Sequence, residues 1–377
     1  MRGSLKTVAA LCVLAMATAA AACSSSSSTS SKPSSGSSSS SGATTAAKFK
    51  ACMVTDTGGI DDKSLNASSW AGMQAAAKAD PNIQVTYLQS TSPSDYATNI
   101  STFLAQQCGI IVTVGFLMGD NTETAAKANP SQKFAIVDCS YASECLTGAK
   151  EPNIDQLVFN TVQDGFLGGY LAAAVSKTHV VATYGGENFG TVTIYMDGFW
   201  DGVRYYNKQK HASVKVLGWN EPTQKGDFIG NFTSLGAGQT LTNTFIGDGA
   251  DVIFPVAGGV GLGTAKAVQT ADAAGKNVSI EWVDTDGCVN APQYCKYFLT
   301  SVTKGIVPAV EDSVLSAAKG TFKTNNTYVG TLANNGAALA PFHDFATKIP
   351  ASVQTEINTL KSDIESGKIV PVTKSPV

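Results

Sequence analysis

The sequence predicts an α/β protein with two similar lobes, each built on a parallel β-sheet that helices cover on both faces. Three observations carry this prediction. Short runs rich in β-branched residues alternate with longer segments whose apolar residues recur every three or four positions, which indicates strands and helices in turn. The strand-like runs are apolar throughout, as in buried parallel sheets. The alternation also occurs in two successive series, which indicates two lobes.

The elements of the first series follow one another from Lys50. The predicted strands are KACMVTD, IQVTYLQS, GIIVTVG and KFAIVD, and the helices between them are SLNASSWAGMQAAAKAD, PSDYATNISTFLAQQ and FLMGDNTETAAKANP. Asp61 and Asp62 precede the first of these helices and are expected to cap it, since carboxylates offset the free amides of a helix N-terminus. The segment QLVFNTV, followed by the helical QDGFLGGYLAAAVSKT, then leads to the second series.

The second series repeats the pattern. Its predicted strands are HVVATYGG, VKVLGWNE, DVIFPVAGG and SIEWVDTDG, and its helices are VTIYMDGFWDGVRYYNKQK, a segment that ends near Asp248, and GLGTAKAVQTADAAG. The tail PASVQTEINTLKSDIESGKIVPV predicts a helix followed by a short strand. We therefore expect an N-terminal lobe over residues 49–160 and a C-terminal lobe over 161–300. Residues 301–377 are expected to supply crossover segments and a C-terminal helix that complete both lobes.

The N-terminus indicates export. Arg2 and Lys6 precede an apolar stretch that is too short to span a membrane comfortably, so residues 1–22 are interpreted as a signal peptide. The sequence Ala20-Ala21-Ala22-Cys23 resembles a bacterial lipobox, which makes Cys23 the expected site of lipidation; an ordinary cleaved signal is the alternative. Residues 23–48, rich in Ser, predict a flexible tether, because they offer almost no apolar surface to bury.

Composition narrows the function further. The formal net charge is −3 and charged residues make up 15% of the chain, without the basic face or arm that nucleic-acid binding requires, so no nucleic-acid partner is expected.

Six cysteines follow Cys23, and an even number in an exported protein favours disulfides. Cys139 with Cys145 and Cys288 with Cys295 each bracket a short loop, which leaves Cys52 with Cys108. A zinc site is the rival interpretation, but the chain has no C-x-x-C and three scattered histidines, so no metal is predicted.

The carboxyl ends of the predicted strands offer polar and glycine residues. In open parallel sheets, ligands bind beyond these ends. The first lobe presents Asp56-Thr57-Gly58-Gly59, then Gly115-Phe116, then Asp138. The second lobe presents Gly185-Gly186, Ala257-Gly258-Gly259 and Asp284-Thr285-Asp286-Gly287. Glycine lets the backbone approach a ligand closely, and carboxylates accept hydrogen bonds from hydroxyl groups. These positions are therefore the candidate ligand site.

The sequence lacks several motifs that would indicate catalysis, calcium binding or phosphate binding. An aspartic protease requires two such loops on β-rich lobes, whereas the elements here are βα units. The segment DTGGIDD lacks the alternating oxygen ligands and closing Glu of a calcium-binding EF-hand loop. The segment GGVGLG lacks the Lys and Ser/Thr of a phosphate-binding loop, and no G-x-S-x-G nucleophile elbow occurs. No enzymatic activity and no cofactor are predicted.

Several motifs taken together resemble one protein family. MVTDTGGIDDKSLN, VTVGFLMGD, KFAIVD, GADVIFPVAGGVGLGTA, WVDTDG and LTSVTKGIVPAV follow in order and resemble the successive signatures of the basic membrane protein (Bmp) family. Its members are lipoprotein substrate-binding components of ABC importers, and the chain is similar to the purine nucleoside receptor lipoproteins among them. The resemblance covers Lys50 to Val372. It implies a type I periplasmic-binding fold whose two lobes close over a ligand.

The resemblance also implies roles for individual residues. Asp56 and Asn66 would hydrogen-bond a purine base, Asp284 would accept the ribose hydroxyls, and Lys304 would approach the sugar or base. Leu65 stands where the family often has a stacking aromatic residue, and Phe232 would be the second stacking position. Gly258 would let the backbone meet the ligand, and Asp138 is a further candidate. Gly115 and Phe116 join this set from the strand ends alone.

The resulting hypothesis is a lipid-anchored binding protein on the extracytoplasmic face of the cell membrane. It would capture a nucleoside, with a purine base expected, and deliver it to ABC permease subunits; the folded body is expected to be monomeric. A first alternative is the same scaffold binding a sugar or a signalling ligand for a sensor. A second is a nucleoside hydrolase that uses one of the aspartates as a base, although no paired carboxylate or metal cluster supports it.

Overall fold

The computed structural model describes residues 48–143, 145–375 and 377. The predicted signal peptide, the lipidation site at Cys23 and all but the last residue of the Ser-rich tether lie outside this range. From Ala47 to Val377 the chain forms one compact unit. Within the described range, no helix has the length and apolar character needed to cross a bilayer.

The first sheet has six strands, all parallel, in the order β13-β5-β4-β3-β1-β2. These strands are β1 (Phe49–Val54), β2 (Ile83–Leu88), β3 (Ile110–Val114), β4 (Lys133–Val137), β5 (Ile154–Phe159) and β13 (Thr327–Gly330). The helices of this lobe are α1 (Leu65–Ala79), α2 (Asp95–Ala105), α3 (Gly119–Ala128) and α9 (Ile306–Ala318). Strands β3 and β5 are buried along their whole length, and β5 includes the buried polar residues Asp155 and Gln156.

The second sheet has the order β14-β12-β11-β10-β6-β7 and is parallel except for β14, which pairs antiparallel with β12. Its strands are β6 (Val180–Gly185), β7 (Lys215–Leu217), β10 (Val252–Val256), β11 (Ser279–Asp284), β12 (Phe298–Lys304) and β14 (Ala337–Leu339). A separate antiparallel pair consists of β8 (Trp219–Asn220) and β9 (Lys225–Gly226). The remaining helices are α4 (Val162–Val175), α5 (Gly190–Lys210), α6 (Leu235–Gly247), α7 (Gly261–Ala273), α8 (Gly287–Asn290) and α10 (Ala351–Glu365).

The chain passes between the two sheets three times. It leaves the first sheet after β5, returns to it through α9 and β13, and enters the second sheet again at β14. Helices α4 and α5 pack closely in the second lobe because glycine allows their backbones to approach. A Cβ on Gly169 would lie 1.9 Å from the carbonyl oxygen of Phe199, and one on Gly202 would lie 2.0 Å from that of Phe166.

The cysteines form three disulfides: Cys52–Cys108, Cys139–Cys145 and Cys288–Cys295. The predicted pairing is therefore confirmed. The first bridge closes a separation of 56 residues and joins β1 to Cys108, two residues before β3, which is the neighbour of β1 in the sheet. Long loops restrict the unfolded chain most, so this bridge is expected to contribute about 4 kcal/mol, against about 2 kcal/mol for each short loop.

The predicted C-terminal strand is wrong. Residues 369–375 follow α10 without strand structure. Pro371 has no N–H to donate to a neighbouring strand, and two backbone amides that follow it donate to carboxylates of α5. The N–H of Val372 donates to Asp201 Oδ2 at 2.9 Å, and that of Lys374 donates to Asp197 Oδ2 at 3.0 Å. The tail is therefore held by side chains and not by a sheet edge.

Candidate functional site

A cleft lies where the carboxyl ends of the strands in the two sheets face each other. The cleft is narrow in this structure, with a cavity volume of about 50 Å³. All ten residues predicted to bind ligand line it: Asp56, Leu65, Asn66, Gly115, Phe116, Asp138, Phe232, Gly258, Asp284 and Lys304. Among the other strand-end positions, Gly58, Ala257 and Gly259 also line the cleft. The strand-end positions that do not line it are Thr57, Gly59, Gly185, Gly186, Thr285, Asp286 and Gly287. The roles of the ten residues toward a ligand stay predictions.

Asp56 and Asn66 form one polar group in the lining of the cleft. The Asn66 amide donates to Asp56 Oδ1 at 2.8 Å and to Asp62 Oδ2 at 3.0 Å. Both of its N–H groups are thus used, while its buried carbonyl oxygen has no partner among the described residues. The second carboxylate oxygen of Asp56 lies so close to Gly115 that a Cβ there would be 2.6 Å away. This corner offers hydrogen-bond acceptors to a ligand.

Asp62 holds the turn that leads into α1. Its Oδ1 accepts from the N–H of Ser64 at 2.9 Å and of Ala67 at 3.0 Å, and its Oδ2 accepts from the N–H of Asn66 at 2.8 Å. The expected helix cap is therefore Asp62 alone. Asp61 is exposed and forms an ion pair with Lys63 at 3.6 Å. By fixing the first amides of α1, Asp62 also fixes the position of Asn66 in the cleft.

A second polar group in the lining of the cleft is a buried cluster around Lys304. Its ammonium group, at the end of β12, lies 2.6 Å from Asp138 Oδ2 of the first lobe and 3.3 Å from Asp284 Oδ1 of the second. The hydroxyl of Tyr195 donates to Asp284 Oδ1 at 3.2 Å. Asp138 and Asp284 both adopt left-handed backbone angles, with φ of 65° and 64°, immediately after or at the end of a strand. The two lobes thus present matching carboxylates, in a conformation that Asp tolerates better than most residues.

Burial governs the electrostatics of this cluster. It raises the pKa of Asp138, although the neighbouring Lys304 opposes the shift. Burial alone would lower the pKa of Lys304, but the carboxylates of Asp138 and Asp284 outweigh it and the pKa is raised. Lys304 therefore stays charged. With Asp56 and Asp62, four carboxylates and one ammonium group line the cleft, a balance that favours neutral ligands over phosphorylated ones.

Three aromatic rings form a wall of the cleft. Phe116 of the first lobe stacks on Phe189 of the second, with ring centroids 4.6 Å apart and planes 6° from parallel. Phe232 lies beside Phe189, at 5.9 Å between centroids. Phe189 and Tyr195 were not predicted. Phe189 is the third residue after the strand-end pair Gly185-Gly186 and could have been found by reading three residues further. Tyr195 lies within α5, where its spacing indicates only packing.

Only one group of the described side chains resembles a metal site. Donor atoms of Asp286, Cys288 and His343 lie within 4.8 Å of one another. Cys288 is bonded to Cys295, so its sulfur is not a thiolate, and His343 Nε2 and Asp286 Oδ2 are 2.7 Å apart and bond to each other. Two partly exposed ligands do not suffice for a zinc site, which takes at least three from the protein.

The stability of the protein is expected to depend on the titration of Asp56. Burial raises the pKa of this carboxyl from 3.8 to about 6. Between pH 6 and 4 the folded chain therefore binds a proton that the unfolded chain does not, so this group makes the protein more stable as the pH falls. Urea unfolding of wild type and Asp56→Asn from pH 4 to 7.5 tests this. As the pH falls through 6, the unfolding free energy of wild type should rise relative to that of Asp56→Asn. A difference between the two that is independent of pH would contradict this prediction.

Comparison with known proteins gives consistent matches over the folded body. The model of a family described as ABC transporter substrate-binding protein PnrA-like (Bmp) matches residues 49–371. The ABC transporter nucleoside-binding protein BmpA of Lactococcus lactis subsp. cremoris is 29% identical over 338 residues, covering 86% of this chain and 89% of that protein. The CD4+ T-cell-stimulating antigen of Listeria monocytogenes serovar 1/2a is 30% identical over 334 residues, covering 85% and 87%.

The solved structures bear on the fold. A solute-binding protein of an ABC transporter system from Aeropyrum pernix K1 superimposes with a TM-score of 0.74 at 21% identity, covering 86% of this chain and 93% of that one. Periplasmic binding proteins of the type I fold are among the structural neighbours. The predicted type I periplasmic-binding fold is therefore confirmed.

Proposed function

Because the chain belongs to the Bmp family of PnrA-like ABC transporter substrate-binding proteins, we propose that it binds a nucleoside between its lobes and delivers it to an ABC permease. The lobes of the proposal are residues 49–160 and 161–300, completed by 301–377. No bond is made or broken in the ligand. The relative from Lactococcus lactis, whose name describes a nucleoside-binding protein, supports this choice of ligand.

One observation carries the proposal: the cleft is lined by three chemically different groups, each of which suits a part of a nucleoside. They are the acceptors at Asp56 and Asn66, the aromatic rings, and the Asp138–Lys304–Asp284 cluster. A purine is a flat apolar plate with polar edges, and ribose carries vicinal hydroxyl groups. The N–H groups of the base would donate to the Asn66 carbonyl oxygen and to Asp56, and Leu65 would contact the face of the base.

The sugar would bind at the Lys304 cluster. The Asp284 carboxylate already accepts hydrogen bonds from Ser64, Tyr195 and Lys304, and a carboxylate has about four acceptor positions. It can therefore take one ribose hydroxyl, and Asp138, whose Oδ2 accepts from Lys304, can take the other through its Oδ1. Hydrogen bonds to charged groups of this kind contribute about 1.5–3 kcal/mol each. Gly258 leaves its backbone open to the ligand.

Binding would proceed by hinge closure. The three connections between the sheets allow the lobes to rotate, and a ligand that contacts both lobes stabilises the closed form. Closure would bring Asp56 and Asp138 of one lobe against Gly258 and Asp284 of the other. The closed shape would then be the one that the permease recognises.

Calorimetric titration of the folded body with adenosine, guanosine, inosine and ribose tests the ligand class. Heat of binding with at least one nucleoside and none with ribose is the expected result. Heat with ribose alone would support the sugar-binding alternative.

Titration with guanosine monophosphate tests the charge of the cleft, since the excess of carboxylates should make this nucleotide bind more weakly than guanosine. Release of free base during prolonged incubation would support the hydrolase alternative instead.

We further propose that the body is held at the extracytoplasmic face of the membrane by lipid on Cys23, with the Ser-rich segment as tether. Cys23→Ala is expected to move the protein from the membrane fraction to the soluble fraction, because an acyl anchor supplies membrane affinity in proportion to its buried CH₂ groups. Fractionation and immunoblotting of the full-length chain measure this. Cys12→Ala, within the predicted signal peptide, is the matched control; a membrane-bound Cys23→Ala variant would contradict the anchor.

A further inference from the structure

The short segment Lys63–Ser64 of the first lobe is bonded directly to the end of β11 in the second lobe. The carbonyl oxygen of Lys63 accepts two hydrogen bonds, from Trp282 Nε1 at 3.2 Å and from Thr285 Oγ1 at 2.9 Å. The next residue, Ser64, donates from its hydroxyl to Asp284 Oδ2. Three hydrogen bonds therefore join two adjacent residues of one lobe to three neighbouring residues of the other.

The first-lobe side of this contact is held rigidly. Lys63 adopts a left-handed backbone conformation, with φ of 58°. The Asp62 carboxylate accepts from the N–H of Ser64 and fixes the turn on the C-terminal side of Lys63. A left-handed non-glycine residue has a conformational cost that surrounding contacts must offset. Here the strained residue is the one whose carbonyl oxygen contacts the opposite lobe.

The second-lobe side is equally well positioned. Trp282 is completely buried, with its ring packed against Phe298 at 5.2 Å between centroids. Its indole N–H is the only polar group of the side chain, and among the described residues it bonds to Lys63 alone. Buried Trp N–H groups usually find a partner. The core of the second lobe therefore presents a fixed donor that a protein acceptor satisfies only when the lobes meet.

We infer that the carbonyl group of Lys63 forms a closure latch with Trp282 and Thr285, and that these three are positioning residues which set how long the lobes stay closed. Their mutual hydrogen bonds involve no ligand atom, and they break when the lobes separate. They therefore stabilise the closed form relative to the open one and slow ligand release. The inference rests on the two-lobe closure of the proposed function, but not on the identity of the ligand.

Two substitutions remove the latch bonds: Thr285→Val, which keeps the side-chain shape, and Trp282→Phe, which keeps an aromatic ring but loses part of the buried indole volume. The dissociation rate of radiolabelled inosine, measured after rapid dilution, is expected to rise about threefold to tenfold for each, as loss of one neutral hydrogen bond implies. The association rate should change little, since contacts formed after encounter act mainly on dissociation. An unchanged dissociation rate in both variants would overturn the latch.

The chain offers matched controls within the second lobe. Trp219 Nε1 donates to Asp197 at 3.0 Å, and Thr183 Oγ1 donates to the carbonyl oxygen of Phe254 at 2.9 Å. Trp219→Phe and Thr183→Val therefore delete the same kinds of bond without touching the contact between lobes. They are expected to lower the melting temperature but to leave the dissociation rate unchanged. Faster release in the controls as well would assign the effect to general destabilisation and overturn the latch.

A second measurement separates this inference from the choice of ligand. Small-angle X-ray scattering of the ligand-free protein compares the double variant Trp282→Phe/Thr285→Val with the control Trp219→Phe/Thr183→Val. The first is expected to have the larger radius of gyration, because its lobes open more often, and equal radii would overturn the latch. If wild type binds none of the titrated nucleosides but the radii differ, the proposed ligand is wrong and the latch stands.

Discussion

Asp284→Asn is expected to lower nucleoside affinity at least about tenfold, because charge-assisted bonds to a ribose hydroxyl become neutral ones and tenfold corresponds to about 1.4 kcal/mol. Asn keeps the shape of the side chain and tolerates the left-handed backbone at φ 64°. Isothermal titration calorimetry measures the change. The variant also removes one of the two carboxylates that contact Lys304, so its unfolding free energy should be measured alongside.

The matched control for this prediction is Asp286→Asn, two residues further along. Asp286 accepts from the N–H of Cys288 and lies 2.7 Å from His343, and it is absent from the lining of the cleft. Its substitution should leave affinity within about twofold, as for changes outside a site. Ser64→Ala separates the two functions of Asp284, since it removes the interlobe bond and retains the carboxylate. Equal affinity of wild type and Asp284→Asn would remove Asp284 from the site.

The positions at strand ends could be predicted because the sequence marks them directly. Asp56, Gly115, Asp138 and Asp284 each end or follow an apolar run, and parallel sheets place all such ends at one edge. Their position at this shared edge is the reason to expect them near a ligand. The spacing of apolar residues and the composition therefore sufficed to predict the part of the site that comes from the ends of buried strands.

Lys304 could not be found in this way. It ends β12, whose sequence FLTSVTK mixes apolar and hydroxyl residues and was not identified as a strand from its pattern; the family resemblance alone indicated it. Tyr195 lies in mid-helix, where apolar spacing predicts packing and does not reveal that its hydroxyl faces Asp284. Both depend on tertiary arrangement, which a local pattern does not carry.

The crossover strands were missed for a related reason. β13 has four residues and β14 three, too few to establish a period. Their pairing partners, β5 and β12, lie far away in the chain, and each strand joins a different sheet. The sequence analysis expected crossover segments within residues 301–377, but it gave no bounds for β13 and β14. The wrong C-terminal strand has the opposite cause: IVPV has strand-like composition, but the N–H of its last residue, Val372, bonds to Asp201, and that of Lys374 beyond it bonds to Asp197.

Lys304→Met is expected to destabilise the fold by about 3–5 kcal/mol, the usual cost of removing one partner of a buried ion pair. The Lys304 side chain is 3% exposed and the Asp138 and Asp284 side chains are each 9% exposed. Without the ammonium group, the carboxylates of Asp138 and Asp284 lie close together with no cation between them. Protonation of one carboxylate would relieve their repulsion. The folded variant should then bind a proton that its unfolded form does not, so its stability should recover as the pH falls from 7 toward 5.

Lys210→Met provides the matched control, because Lys210 contacts Glu356 at the same distance of 2.6 Å but with side chains 39% and 31% exposed. Solvent screens such a pair, and its loss should cost at most about 1 kcal/mol. Urea unfolding of both variants at pH 7 and pH 5 makes the comparison, and adding Asp138→Asn to Lys304→Met should recover part of the loss. Similar costs for the two lysines would mean that the Lys304 cluster is hydrated, and a hydrated cluster could not hold a sugar through charge-assisted bonds shielded from water.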